Sequence, residues 1–127
     1  MSWCFKDQAN DYADSVLGQL TGATAYVPSV WPLEVVNVLL AAERRNYINE
    51  ADSVRFIHLL SNLPILVQHE GPEKAMKDLL GLARTYELSS YDASYLDLAM
   101  KKGLPLATLD RKLREAASAV KLQVFPE

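Results

Sequence analysis

Three carboxylates stand where a metal-dependent reaction would need them: Glu34, Asp92 and Asp110. Glu34 lies just past a short apolar run at 25–28, in the first turn of a helix-like segment. Asp92 opens another such segment, Ser90-Tyr91-Asp92-Ala93-Ser94-Tyr95-Leu96, and Asp110 ends the apolar run Leu104-Pro105-Leu106-Ala107-Thr108-Leu109-Asp110. Ligands of an open α/β sheet bind at the carboxyl ends of its strands. Glu34 and Asp110 should therefore face one edge, and Asp92 heads the helix that leads into the second strand. Converging acids bind a hard cation such as Mg²⁺ through oxygen, and such a cation can activate water and stabilise the charge that develops in phosphodiester cleavage. Each acid also has a structural use. A carboxylate in a helix's first turn is favoured by the helix dipole. Ser89-Ser90-Tyr91-Asp92 resembles a capping box, and Asp110 suits the N-cap of the segment from Arg111 onward. It is the combination of the three that points to a site.

Their neighbours extend the pattern. Asn37, three residues after Glu34, shares its helix face; it could hold the carboxylate or a metal-bound water, or be an ordinary solvated side chain. Thr108, two residues before Asp110, points the same way along a strand and is a candidate hydroxyl supporting Asp110. Arg111 and Lys112 follow Asp110 directly and are placed to meet a phosphate, with Arg114 in the same basic cluster. Arg44 and Arg45 read as solubilising helix residues. Asp97, five residues beyond Asp92, reads as a solvated face residue, as do Asp7, Asp11 and Asp14. His58 and His69 have no partner at metal-ligand spacing, and there is no Gly-rich phosphate loop. Cys4 is the single cysteine, which excludes an internal disulfide and a cysteine zinc cluster. The net charge of −3 speaks against a general nucleic-acid coat protein, while leaving room for an enzyme with a local basic rim.

The elements that must position these residues follow from periodicity. Ala9, Tyr12, Ala13, Val16, Leu17 and Leu20 recur at helical spacing and predict a helix over 7–20. A strand over 25–28 precedes a helix from Pro32 to about Arg45 that is apolar almost all round, hence expected to be well buried. A helix over 50–62 should turn Val54, Ile57, Leu60 and Leu59 inward. Pro64 stops it before a buried strand at 65–67. A helix after Gly71-Pro72 carries Ala75, Leu79, Leu82 and Ala83; the next covers 91–102 and ends at Gly103, a C-cap residue. A strand at 104–109, a helix at 111–119 and a strand at 122–125 complete the order. Helices alternating with short apolar strands indicate a parallel sheet covered on both faces. The 127 residues, half of them hydrophobic, suit one packed α/β domain. No apolar run approaches the ~20 residues of a membrane span and no secretory signal is visible, so a cytoplasmic protein is expected. Trp3, Cys4 and Phe5 read as core or interface residues.

These residues also carry a resemblance. Pro28-Ser29-Val30-Trp31-Pro32-Leu33-Glu34-Val35-Val36-Asn37-Val38-Leu39 resembles the segment bearing the first-helix Glu of PIN domains. Tyr91-Asp92-Ala93-Ser94-Tyr95-Leu96-Asp97-Leu98-Ala99 is similar to their internal Asp motif, and Leu104 to Leu113 to their terminal Asp motif. Order and spacing agree over nearly the whole chain, and the closest subfamily is the VapC-like toxin ribonucleases of bacterial toxin–antitoxin pairs. The resemblance implies a PIN-like three-layer α/β/α fold and Mg²⁺- or Mn²⁺-dependent cleavage of RNA. It also implies inhibition by a cognate antitoxin and frequent homodimerisation, and it assigns Glu34, Asp92 and Asp110 to the metal site. The family begins with a strand ending in Asp, a strand that lies in the middle of its sheet. Here Ser2-Trp3-Cys4-Phe5 matches what normally follows it. The expectation is a sheet without its first, central strand and a site short of one acid, explained most simply by a start codon assigned too late or a shortened chain. A non-catalytic PIN-like protein that binds an antitoxin or RNA is the alternative. A receiver-type signalling domain is disfavoured, because the acid pair it needs after the first strand is not seen.

Overall fold

The computed structural model describes residues 24–126. The predicted helix over 7–20, with Asp7, Asp11 and Asp14, and the residues Trp3, Cys4 and Phe5 lie outside the described residues. The chain divides into two compact units, one ending at Val67 and one beginning at Gln68.

In the first unit β1 (Ala25–Pro28) is followed by α1 (Trp31–Arg44), α2 (Glu50–Ser61) and β2 (Ile65–Gln68). The two strands are hydrogen-bonded neighbours, and the Ala25 amide donates to the Pro64 carbonyl at 2.9 Å. Pro32 stands in the first turn of α1, where its missing N–H costs nothing. Trp31, Val35, Leu39 and Ala42 form the buried stripe of that helix. Asn49 and Asp52 start α2 with a reciprocal capping box: the Asn49 side chain accepts from the Asp52 amide at 2.9 Å, and the Asn49 amide donates back at 3.0 Å. The Ser53 hydroxyl ties α2 to α1 by donating to Glu43 at 2.5 Å.

In the second unit α3 (Pro72–Tyr86) and α4 (Ser90–Lys102) precede β3 (Leu106–Ala107), α5 (Arg111–Ala119) and β4 (Val124–Phe125). α4 is the central element, packed against α3, β3 and α5. Ala93 and Leu96 are completely buried on it, in one core with Leu88, Leu106, Leu113, Ala116 and Ala117. Leu79, Leu82, Ala83 and Tyr86 of α3 close that core from one side. Gly103 ends α4 at φ 64°, a left-handed conformation in which a Cβ would be strained. β3 and β4 pair in parallel, Leu106 with Val124 and Ala107 with Phe125.

The strands pair two by two, β1 with β2 and β3 with β4, and alternate with helices in the α/β order expected. Several local expectations need correction. The strand expected over 104–109 is regular only at Leu106–Ala107, because its partner supplies two residues. α1 is not buried all round: Leu33 is 66% exposed, and Val36 and Leu40 are also exposed. Its apolar residues cover two faces, and only the stripe of Trp31 is covered. On α2 the inward residues are Ser53 and Leu60, while Val54, Ile57 and Leu59 are exposed. A small polar residue that can hydrogen-bond α1 took a position that periodicity alone would give to Val54. β2 is half-buried, with Leu66 exposed. Asp97, expected on a solvated face, is 8% exposed.

Candidate functional site

Glu34 belongs to the first unit and Asp92 and Asp110 to the second; each is held by local structure that the sequence dictates. Pro32 in the first turn places Glu34 where unpaired amides and the helix dipole favour a carboxylate. The Glu34 amide donates to the Val30 carbonyl at 3.1 Å. Its Oε1 is fully buried and has no hydrogen-bond partner among the described residues. Burying a carboxylate oxygen without a donor or a cation is costly. Asn37, one turn on, is exposed and does not supply that partner.

Asp92 stands in the first turn of α4, and its amide donates to the Ser89 hydroxyl, the N-cap, at 3.1 Å. The side chain is partly exposed. Asp110 is itself the N-cap of α5: its Oδ2 accepts from the Leu113 amide at 2.9 Å. Oδ1 is committed to no group among the described residues, so one oxygen serves the helix and the other is available to a ligand. The Thr108 hydroxyl accepts from the Asp110 backbone amide at 3.1 Å. Arg111 is exposed and pairs with Glu115 one turn along, at 3.1 Å. Such a surface pair is worth little and is easily exchanged for a phosphate. Lys112 is exposed.

Arg114 was grouped with these surface cations, and its position is different. Its guanidinium is partly buried and donates to the carbonyls of Thr108 at 2.8 Å, Phe125 at 3.3 Å and Pro126 at 2.6 Å. The signal available in the sequence was spacing. A helical side chain leans toward the N-terminus, so a long residue four positions after an N-cap reaches back over the strand end.

Among the described residues an acidic group unforeseen from the sequence joins Glu70, Asp78 and Asp97, whose oxygens lie within 4.8 Å of one another. Oxygens so close could hold a metal ion. Here the charge is met by Lys101, whose Nζ contacts Glu70, reaches Asp78 at 2.8 Å and reaches Asp97 at 2.8 Å. Burial alone would lower the Lys101 pKa, but hydrogen bonds from Asp78, Asp97 and Glu70 outweigh it and raise the pKa above the ordinary lysine value. The hydrogen bond from Lys101 holds the Asp78 carboxyl below its ordinary value. An ammonium among three carboxylates makes this a fastening of α3 to α4 and disfavours a cation there.

Strand–helix units with acids at the helix starts define a class, the α/β proteins whose sites lie at the carboxyl ends of their strands. Within that class the chain belongs to the PIN domain family, whose model matches residues 2–119. It is similar to Ribonuclease VapC3 of Pyrobaculum aerophilum, 32% identical over 87 residues, which is 68% of this chain. The match spans 66% of that relative's length, just under two thirds. No helix among the described residues is long and apolar enough to cross a membrane.

Proposed function

We propose that this chain is a metal-dependent endoribonuclease of the VapC-like toxin type, acting in the cytoplasm and held in check by a cognate antitoxin. Glu34, Asp92 and Asp110 supply the oxygen ligands for Mg²⁺ or Mn²⁺. When bound, that cation supplies an activated water and charge stabilisation for phosphodiester hydrolysis. Asn37 would hold a metal-bound water, Thr108 steadies the backbone at Asp110, and Arg111 and Lys112 meet an RNA phosphate at the rim of the site. The observation that carries the reading is the buried Oε1 of Glu34, without a partner among the described residues, a cost to the fold that a cation would remove. The spare oxygen of Asp110 and the likeness to a protein named as a ribonuclease support it.

The test is cleavage of labelled single-stranded RNA resolved on a gel, with Mn²⁺, with Mg²⁺ and with EDTA. Cleavage that EDTA abolishes, and that Asp92→Asn removes while the protein stays folded, is the expected result. Cutting that survives EDTA would overturn it.

The second reading, a non-catalytic protein that binds an antitoxin or RNA, is favoured by one observation. Leu33, Val36 and Leu40 of α1 and Val54, Ile57 and Leu59 of α2 leave apolar side chains in water, the kind of surface that protein partners cover. Retention of antitoxin or RNA without turnover in any metal would select this reading. A homodimer would use the same kind of surface.

A further inference from the structure

We propose that Arg114 is a positioning residue for Asp110, a role that rests on the metal-site reading above. The parallel ladder of the second unit pairs only Leu106 with Val124 and Ala107 with Phe125; at its ends Leu106 N–H donates to the Gln123 carbonyl at 2.9 Å and Thr108 N–H to the Phe125 carbonyl at 3.0 Å. Among the described residues the ladder holds the chain only as far as Thr108, and Asp110 lies two residues further on. Arg114 takes over at that point. Through Nη1 it binds the carbonyls of Thr108 and Phe125, one from each strand, and through Nη2 the carbonyl of Pro126. Its own amide donates to the Asp110 carbonyl at 2.9 Å. The residue therefore grips the segment 108–110 from both ends.

Two shorter links complete the enclosure: the Asp110 amide on the Thr108 hydroxyl, and the Leu113 amide on Asp110 Oδ2. Together they fix the backbone on both sides of Asp110 and one of its carboxylate oxygens, which leaves Oδ1 with little freedom. A guanidinium suits this role because its planar fork presents donors in fixed directions to several carbonyls at once, whereas an ammonium is a compact point charge. The hydrogen bonds carry the full charge of the arginine and are correspondingly strong. Nothing about the chemistry requires Arg114 to touch RNA or metal.

The experiment compares wild type, Arg114→Ala, Arg114→Lys and Leu79→Ala. Leu79 packs on the same core from α3 and serves as the control for a general loss of stability. Two quantities are read: amide hydrogen exchange over 106–113 in metal-free protein, and Mn²⁺ affinity by titration calorimetry. Arg114→Ala should speed exchange at Thr108 and Asp110 and weaken Mn²⁺ binding by roughly 10- to 100-fold, the range seen when a partner of a metal ligand is removed. Arg114→Lys should stay close to the alanine variant, and Leu79→Ala should keep wild-type affinity. Unchanged exchange in Arg114→Ala, equal losses of affinity in Arg114→Ala and Leu79→Ala, or full affinity in Arg114→Lys would each overturn the proposal. If wild type binds no Mn²⁺ while Arg114→Ala still exchanges faster, the metal-site reading fails and the clamp on the segment stands.

Discussion

Asp110 caps its own helix with one carboxylate oxygen, Oδ2 accepting from the Leu113 amide at 2.9 Å, and keeps the other free of described partners. Capping and ligation are therefore compatible on one residue, and substitution can separate them. Asn is as good an N-cap as Asp, whereas Ala costs about 1 kcal/mol. Asp110→Asn should unfold within a few tenths of a kcal/mol of wild type, about the spread among good caps, and yet lose metal-dependent cleavage. Asp110→Ala should lose both. Urea unfolding alongside the RNA assay checks this, and an active Asp110→Asn would remove the acid from the site.

Glu34 makes the opposite prediction for stability. Its Oε1 is buried without a partner among the described residues, so the charge is a burden in metal-free protein. Glu34→Gln keeps the shape and removes the charge. Without metal it should match wild type or exceed it by up to roughly 1 kcal/mol, since burying a neutral amide costs less than burying a carboxylate. Adding Mn²⁺ should reverse the order. A ligand at a hundred times its Kd stabilises by about 2.7 kcal/mol, and only wild type should gain it. Thermal unfolding with and without Mn²⁺ reads both effects. A Glu34→Gln variant that gains as much as wild type would exclude Glu34 as a ligand.

How far the sequence led depends on the kind of signal. Caps were legible because they are local: Ser89 before α4, Asp110 before α5 and Gly103 after α4 stand where composition placed them. Element order was legible from periodicity. The facing of α2 was not, because Ser53 is small and polar and its burial depends on Glu43 of another helix. Asp97 escaped for the same reason. Position 97 looks solvated on its own helix, and only the docking of α3 brings Asp78 to the same ammonium. Arg114 looked like any surface cation until the ends of β3 and β4 were seen beneath it. Among the candidate residues, the Thr108 hydroxyl meets the backbone amide of Asp110 and not its carboxylate, while Asn37 shares Glu34's face without reaching its buried oxygen. A helix face fixes direction and not contact.

The apolar residues left in water on α1 and α2 predict association with little cost to folding. Leu33 and Val54 are 66% and 67% exposed, so Leu33→Lys and Val54→Lys should change stability by no more than about 0.5 kcal/mol, as surface substitutions generally do. If partners or a second copy cover this surface, the same changes should lower self-association in sedimentation velocity or weaken antitoxin capture. Unaltered association in both variants, with stability also unaltered, would assign the surface no partner.

The Lys101 network gives a pH dependence with a definite sign. Asp78 titrates below its ordinary value because Lys101 hydrogen-bonds its charged form. Its contribution to stability is therefore complete above the unfolded value of about 3.9 and is lost as pH falls through the lower folded value. Lys101 is raised because three carboxylates outweigh its burial. Its contribution is complete below the ordinary lysine value and fades only as pH rises through the still higher folded value. Between these limits the network should be flat with pH. The urea midpoint of wild type should thus exceed that of Asp78→Asn by a constant amount from about pH 5 to pH 9, with the gap closing below about pH 4. Lys101→Met tests the cluster from the other side. It removes the ammonium that joins Glu70, Asp78 and Asp97, so stability should fall, most at low ionic strength where screening is weakest. In an Asp110→Asn background, which silences the proposed catalytic metal site, millimolar Ca²⁺ should then raise the melting temperature of Lys101→Met, because oxygens within 4.8 Å of one another suit a hard cation once the ammonium is gone. The same background with Lys101 intact should show no such rise. A rise with Lys101 in place would mean that the ammonium does not exclude the cation.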